Sequence, residues 1–138
     1  MQRTVRACKE ANVKIGAHPG LPDIQGFGRR MMNLSLEEHT ANVIYQIGAL
    51  KGFLDAESLP LSHVKPHGTL YNCSYRDEEI CRAVYKGIAH FKDVPVFGLA
   101  GSWHEKIAKE MNIPFVAQLN GDLNYDRLGH TIIERKKS

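Results

Sequence analysis

Short apolar runs alternate with longer amphipathic segments along the whole chain, and this alternation limits the fold more than any other feature of the sequence. Four runs have the length and composition of buried strands, and the segments between them carry apolar residues at helical spacing. The strand candidates are residues 13–17, 59–64, 94–99 and 114–119. Because strands that alternate with helices form parallel sheets covered by those helices, the sequence predicts an α/β fold.

Capping residues mark the starts of the predicted helices. Ser35 and Glu38 have the spacing of a capping box, in which each side chain accepts a hydrogen bond from the other residue's backbone amide. Ser102 and Glu105 repeat that spacing. The apolar residues predicted on one face of the first of these helices are Leu36, Val43, Ile44, Ile47, Leu50 and Leu54. Also predicted are a helix over residues 1–12, a helix capped by Ser74 or Asp77, and an extended segment over residues 130–135.

Length and composition indicate one globular domain over residues 1–138. The net charge of +3 is scattered, apart from a short basic tail, so neither nucleic acid nor a membrane is an expected partner. No apolar run approaches the roughly 20 residues that a membrane-spanning helix needs. Three cysteines without C-x-x-C spacing argue for a reducing compartment, and we expect a cytoplasmic protein.

The loop after the first predicted strand carries an unusual density of functional side chains. His18, Asp23, Gln25, Arg29 and Arg30 lie within thirteen residues, among three glycines and two prolines. Glycine lets a backbone approach a ligand closely, and arginine presents a forked donor that suits a carboxylate or a phosphate. We therefore predict that these five residues contribute to substrate binding and that at least one of the arginines contacts an anion.

The loops after the second and fourth predicted strands complete the candidate site. Lys65 can stabilise a developing oxyanion and His67 can transfer a proton near neutral pH, a pair that suits acyl transfer at an amide or lactam carbonyl. Tyr71 and Asn72 follow as predicted substrate-binding residues. Asp122 is the third catalytic candidate, as a base or as the group that orients a histidine, and a turn-forming aspartate is an equal alternative.

Parallel sheets place their active sites at the carboxyl ends of the strands, so these loops are expected to meet at one edge. Four strands are too few for a closed barrel of about eight, which leaves an incomplete barrel or a small open sheet. The side chains predicted to line that edge are His18, Asp23, Lys65, His67 and Asp122.

Two other chemistries fit the same residues less well. His18 and His67 with Asp23 or Asp122 would suit a divalent metal, but no metal-specific spacing such as H-E-x-x-H is present, and no metal ligand is assigned. Ser102 follows glycines but has the spacing of a helix cap rather than that of a nucleophile elbow. The remaining histidines, His39, His63, His90, His104 and His130, are assigned no role.

The strings AHPGLPDIQGFGRR at residues 17–30 and KPHGTLYN at residues 65–72 resemble the LamB/YcsF family of lactam-utilisation proteins, which includes the A subunit of 5-oxoprolinase. GLAGS at residues 98–102 and the D-x-x-Y pattern at residues 122–125 extend the resemblance over essentially the whole chain. It implies a barrel-like, TIM-type α/β fold related to sugar deacetylases and glycoside hydrolases, and hence to proteins of carbohydrate metabolism. It also implies ATP-dependent hydrolysis of 5-oxoproline to L-glutamate with two partner subunits, one of which could bind the ATP.

The chain also departs from the family pattern. The family begins with a D-L-N-x-D-x-G-E strand and an F-H-A-G-D segment and has a later H-G-D segment, so residues 1–138 correspond to the central part of its barrel. Gln118 and Asn120 stand where the family usually has a glutamate and an aromatic residue. Two alternatives to a lactam hydrolase therefore remain: a partner-binding or non-catalytic fragment, and a metal-dependent, deacetylase-like hydrolase.

Overall fold

A parallel sheet runs through the computed structural model, which describes residues 1–121 and 123–132. Its regular part consists of β1 (Val96–Leu99) and β2 (Phe115–Gln118), paired in parallel with Val96 opposite Phe115. Val64 forms parallel bridges to Val96 on one side and to Ala17 on the other. The four segments thus lie side by side in chain order, as the alternation predicts, although the described residues do not close into a barrel.

The prediction of full strands over residues 13–17 and 59–64 was wrong, because each segment pairs as an isolated bridge. Val13 is 56% exposed, and its amide donates to the Cys8 carbonyl at the end of the preceding helix. Pro60 has no amide hydrogen to donate to a ladder. Only the last residues of both segments therefore pair within the sheet. They lie immediately before the loops that begin at His18 and Lys65.

Five helices accompany the sheet among the described residues. They are α1 (Gln2–Glu10), α2 (Leu36–Ala56), α3 (Gly68–Arg76), α4 (Glu78–Ala89) and α5 (Trp103–Glu110). The longest of them, α2, packs mainly on α4. None of these helices is long and apolar enough to cross a lipid bilayer.

Most predicted caps are confirmed. Ser35 and Glu38 form a complete capping box, with the Ser35 amide donating to Glu38 Oε2 at 2.7 Å and the Glu38 amide donating to Ser35 Oγ at 3.2 Å. Ser102 caps α5 through its hydroxyl, but Glu105 accepts the amide of Gly101 instead of closing the box on Ser102. The serine of the GLAGS string is therefore part of a helix start.

The sequence did not predict α3. The stretch up to Asn72 was expected to be loop, whereas a helix begins at Gly68 and ends where Asp77 caps α4 by accepting the Ile80 amide at 3.0 Å. Ser74, the alternative cap, lies inside α3. The buried face of this helix consists of Leu70, Tyr71, Ser74 and Tyr75. Because those positions recur every three to five residues, the helix is held by packing rather than by a sequence signal at its start.

A short antiparallel hairpin follows the sheet, formed by β3 (Asn124–Tyr125) and β4 (Thr131–Ile132). The extended segment predicted over residues 130–135 is confirmed at residues 131–132, and residues 133–135 lie outside the described part. Tyr75 Oη and Thr131 Oγ1 are 3.1 Å apart, a hydrogen bond that ties the hairpin to α3.

The main core lies between α2, α4 and the sheet. Its α2 residues include Val43 and Ile47, both fully buried, as predicted from their helical spacing. Leu36 was predicted on the same face but is 44% exposed, since it occupies the first turn beyond the packed part. All three cysteines are free thiols, and Cys81 is fully buried.

His104, which the sequence left without a role, is a fully buried part of the core. Its Nδ1 accepts the Leu99 amide at 3.2 Å, so its Nε2 carries the hydrogen and donates to Ser74 Oγ at 2.8 Å. The serine hydroxyl in turn donates to the Leu70 carbonyl at 2.7 Å. Burial lowers the pKa of His104 to about 3, and the ring joins β1, α3 and α5 as a neutral group.

We expect His104→Gln to lower the free energy of unfolding at pH 7 by about 2 kcal/mol, because it breaks this buried network. The loss should shrink as the pH falls. Unfolded histidine takes up a proton below about pH 6.5 while folded His104 stays neutral, which costs the unmodified protein up to about 1.4 kcal/mol per pH unit. Urea unfolding at pH 7, 6 and 5 measures both effects, with exposed His90→Gln as the control. A gap between His104→Gln and the unmodified protein that stays constant with pH would contradict the assignment.

Candidate active site

The loop that follows Ala17, called the first loop, and the loop that follows Val64 meet at the carboxyl end of the sheet. The His67 amide donates to the Pro19 carbonyl at 2.8 Å, and the Thr69 amide donates to the Gly28 carbonyl at 3.0 Å. Gly68 has a φ of +53°, and a Cβ at this position would lie 2.8 Å from Gly28 O. Only glycine fits this contact without strain, so the loops approach each other as closely as their backbones allow.

Two amide side chains on α2, those of Asn42 and Gln46, bind the backbone of the first loop at Gly20. Asn42 Nδ2 donates to the Gly20 carbonyl at 2.8 Å, and Gln46 both accepts the Gly20 amide at 3.0 Å and donates to its carbonyl at 2.7 Å. The sequence analysis did not predict these hydrogen bonds. The available signal was two amide residues, four positions apart, on a helix whose neighbouring positions are apolar.

Asp23 and Arg30 form an ion pair within the first loop. Arg30 Nε lies 3.0 Å and 3.1 Å from the two carboxylate oxygens, and Arg30 Nη2 also contacts Oδ1. The Gly26 amide donates to the same carboxylate at 2.9 Å. The hydrogen bonds from Arg30 are the main reason that the pKa of Asp23 falls to about 2. The pair braces the loop, and Asp23 is engaged by its own chain.

His18 and His67 contact each other across the junction of the loops. His18 Nε2 lies 3.1 Å from His67 Nδ1. The outer nitrogens face backbone carbonyls, with His18 Nδ1 2.6 Å from Lys65 O and His67 Nε2 2.7 Å from Phe27 O. The two histidines therefore lie at the same end of the sheet, as their positions after the predicted strands require.

A small polar cleft of about 200 Å³ opens beside the histidines. Its lining includes His18, Arg29, Lys65, His67, Tyr71 and Asn72, together with Asn120, Leu123 and Thr131. Lys65 is half-buried and forms no ion pair with any described residue. The Tyr71 hydroxyl is buried without a hydrogen-bond partner in residues 1–121 and 123–132, and burial raises the pKa of Tyr71 to about 12. The cleft thus offers donors and positive charge.

A larger cleft of about 690 Å³ lies on the other side of the histidines, between the first loop and α2. It shares His18, Arg29 and His67 with the polar cleft. Its other walls are mostly apolar, and Ile24 and Phe27 at its rim are 96% and 70% exposed. The two histidines therefore form a partition between a polar and an apolar depression.

Six of the predicted site residues line the polar cleft, and three other described ones do not. Asp23 and Arg30 bind each other, with Asp23 facing the apolar cleft, and Gln25 is exposed on the loop surface. Asp122 lies outside the described residues. Groups of three or more histidine, cysteine or carboxylate side chains able to hold a metal ion are not found within the described ranges.

Comparison with known proteins identifies the family of this chain. The LamB/YcsF family matches residues 1–138. The chain belongs to the LamB/YcsF family. Lactam utilization protein lamB of Emericella nidulans is 57% identical over 99% of this chain and 53% of its own length. The A subunit of a 5-oxoprolinase from Thermococcus sibiricus is 47% identical over 99% of this chain and 54% of its own length.

A solved structure supports the fold of this LamB/YcsF chain. The crystal structure of the lactam utilization protein from Thermus thermophilus superposes with a TM-score of 0.87 at 45% sequence identity. The superposition covers 94% of this chain and 53% of the other. The chain thus spans about half the length of the relatives that it matches.

We expect Gly68→Ala to destabilise the protein more than Gly129→Ala does. Both glycines have positive φ, so each alanine costs about 1–2 kcal/mol of backbone strain. At Gly129 the added methyl group meets open space, whereas at Gly68 it meets the Gly28 carbonyl, which should add at least about 1 kcal/mol. Urea unfolding measures both variants. Equal losses would show that the contact between the loops is not tight in solution.

Proposed function

We propose that this chain carries the substrate site of a 5-oxoprolinase, which opens the lactam ring of 5-oxoproline to L-glutamate with the help of ATP. The relatives named as a lactam utilization protein and as the A subunit of 5-oxoprolinase support this proposal. The observation that supports a location for the substrate is the small polar cleft. Its described lining holds cationic residues and no carboxylate. Such a cleft suits a small anionic ligand with a hydrogen-bonding ring.

The carboxylate of 5-oxoproline is ionised at neutral pH and needs a cationic partner. Arg29 lines the cleft, whereas Arg30 is not among its lining residues and contacts Asp23. We therefore assign the carboxylate to Arg29. Asn72 and the buried Tyr71 hydroxyl are placed to hydrogen-bond the rest of the ligand.

Lys65 is assigned to the lactam carbonyl oxygen. In the overall reaction the ring C–N bond breaks, while water supplies a hydroxyl group to the carbonyl carbon and a proton to the nitrogen. A negative charge develops on the carbonyl oxygen as the water adds, and an ammonium group held beside it stabilises the transition state more than the ground state. Because an unstrained lactam is a poor acyl donor, transfer of the γ-phosphoryl group of ATP to that oxygen, with release of ADP, would make the carbon reactive. Phosphate then leaves as the added water becomes part of the glutamate carboxylate. Asp122 is our candidate for the base.

The surrounding assembly is part of the same proposal. The four parallel segments follow one another in chain order, as neighbouring strands of a TIM-type barrel do. Within residues 1–121 and 123–132, β2 pairs with β1 alone, and its Val116 is 41% exposed. The relatives carry the name of one subunit, in keeping with two partner subunits that could also bind the ATP. The free thiols fit a cytoplasmic location.

Lys65→Met should lower kcat for glutamate release by about 100-fold, the usual loss when one oxyanion donor is removed. The assay uses the chain assembled with its partner subunits, supplied with 5-oxoproline and ATP. Lys92→Met, at an exposed position away from both clefts, is the matched control. Activity of Lys65→Met within a factor of two of that control would remove Lys65 from the mechanism.

Arg29→Ala and Arg30→Ala should have different effects in the same assay. We expect Arg29→Ala to raise KM for 5-oxoproline by about 10- to 100-fold, because it removes a charge-assisted hydrogen bond to the ligand. Arg30→Ala frees Asp23 and should loosen the first loop, which hydrogen exchange of Gly26 and its neighbours would detect. If neither variant changed KM, the arginines would not hold the substrate carboxylate.

A further inference from the structure

The backbone fixes which nitrogen of each paired imidazole carries a hydrogen. A carbonyl oxygen only accepts hydrogen bonds, so His18 Nδ1, 2.6 Å from Lys65 O, must be an N–H donor. His67 Nε2, 2.7 Å from Phe27 O, must be one as well. A neutral imidazole has a single N–H, so in a neutral pair the remaining nitrogens would both be bare.

Those remaining nitrogens are the two that face each other. His18 Nε2 and His67 Nδ1 are 3.1 Å apart, which is hydrogen-bond distance. In a neutral pair two lone pairs would oppose each other there, and in a doubly protonated pair two N–H groups would. One additional proton turns the contact into an N–H···N hydrogen bond.

We propose that His18 and His67 hold one proton between them and act as a single cation at the edge of the polar cleft. In such a pair one charge belongs to both rings rather than to two independent groups. With respect to the ligand, the inference rests on the proposed function: the cation complements the carboxylate of 5-oxoproline, together with Arg29 and Lys65. It assigns His18 a role beyond substrate contact, as the acceptor that keeps His67 charged.

The surroundings favour His67 as the ring that carries the proton. Burial lowers the pKa of His18, with further contributions from His67, Lys65 and Arg29, and the hydrogen bond to the Lys65 carbonyl only partly opposes this. His18 is therefore the neutral acceptor. Among the described residues, the other titratable groups that line the clefts beside the pair are Asp23, which is paired with Arg30, and the phenols Tyr45 on α2 and Tyr71 on α3.

This arrangement also restricts what His67 can do chemically. All four ring nitrogens of the pair already have partners, so neither ring has a nitrogen free to accept a proton from a ligand. The pair supplies fixed charge and holds the two loops together. Proton transfer by His67, as predicted from the sequence, would first require one of these contacts to open.

The test counts ring N–H groups by ¹⁵N–¹H correlation NMR of the 138-residue chain at about pH 7. We expect three N–H groups on the two rings, two on His67 and one on His18 at Nδ1. Two N–H groups in total, or four, would overturn the proposal. His90→Gln should leave these signals in place, since His90 is exposed and lies outside both clefts.

Two substitutions at His18 separate the shared proton from simple packing. The amide of asparagine reaches the position of Nδ1, so His18→Asn can keep the bond to the Lys65 carbonyl but removes the acceptor that faces His67. The His67 ring should then show one N–H group, at Nε2. The amide of glutamine reaches the position of Nε2, and His18→Gln should retain both N–H groups on His67. Two N–H groups on His67 in His18→Asn would refute the pair, because the charge of His67 would then not depend on the His18 acceptor.

The outcome is independent of the lactam assignment. The spectra require neither ATP nor partner subunits, so a chain without 5-oxoprolinase activity would still show three N–H groups. Conversely, an active enzyme whose His67 has one N–H group would leave the proposed reaction intact and overturn the shared proton. In the assembled enzyme, His18→Asn should raise KM for 5-oxoproline by about tenfold, because an exposed charge near the carboxylate is lost.

Discussion

Val64 is the residue at which the sheet and the candidate site are joined. It is fully buried and bridges Ala17 and Val96 at once, which fixes the register of three parallel segments. In a parallel pair, residues that follow bridged partners are neighbours too, so His18 and Lys65 emerge side by side. The contact of His18 Nδ1 with the Lys65 carbonyl is a direct consequence of that register.

The register of the strands at Val64 also brings positively charged side chains together at the polar cleft. Lys65 and the histidine pair border one small cleft whose described lining holds no carboxylate. Like charges in a partly buried cleft repel one another, and the fold tolerates this only because packing elsewhere exceeds the cost. An anionic ligand relieves the repulsion.

The parts of this structure that follow from local rules were predictable from the sequence, and the parts set by packing were not. The capping box at Ser35 follows from a four-residue pattern, and the convergence of His18 and His67 follows from the geometry of parallel strands. The helix over Gly68–Arg76 begins at a glycine with no capping side chain, so only its buried face reveals it. His104 was missed because a buried histidine and a surface histidine look alike until the fold supplies the Leu99 amide as a donor.

Phe27 connects the apolar surface to the proton-holding pair. Its φ of 55° is unusual for a bulky residue and costs about 1–2 kcal/mol, which the surrounding contacts must offset. This conformation points the carbonyl at His67 Nε2 while the ring packs edge-on against the same imidazole, with centroids 5.1 Å apart. The rest of the ring faces solvent at the rim of the larger cleft. Because one strained residue supplies both exposed apolar surface and the acceptor that orients His67, a change in its backbone conformation would also break the hydrogen bond to His67 Nε2.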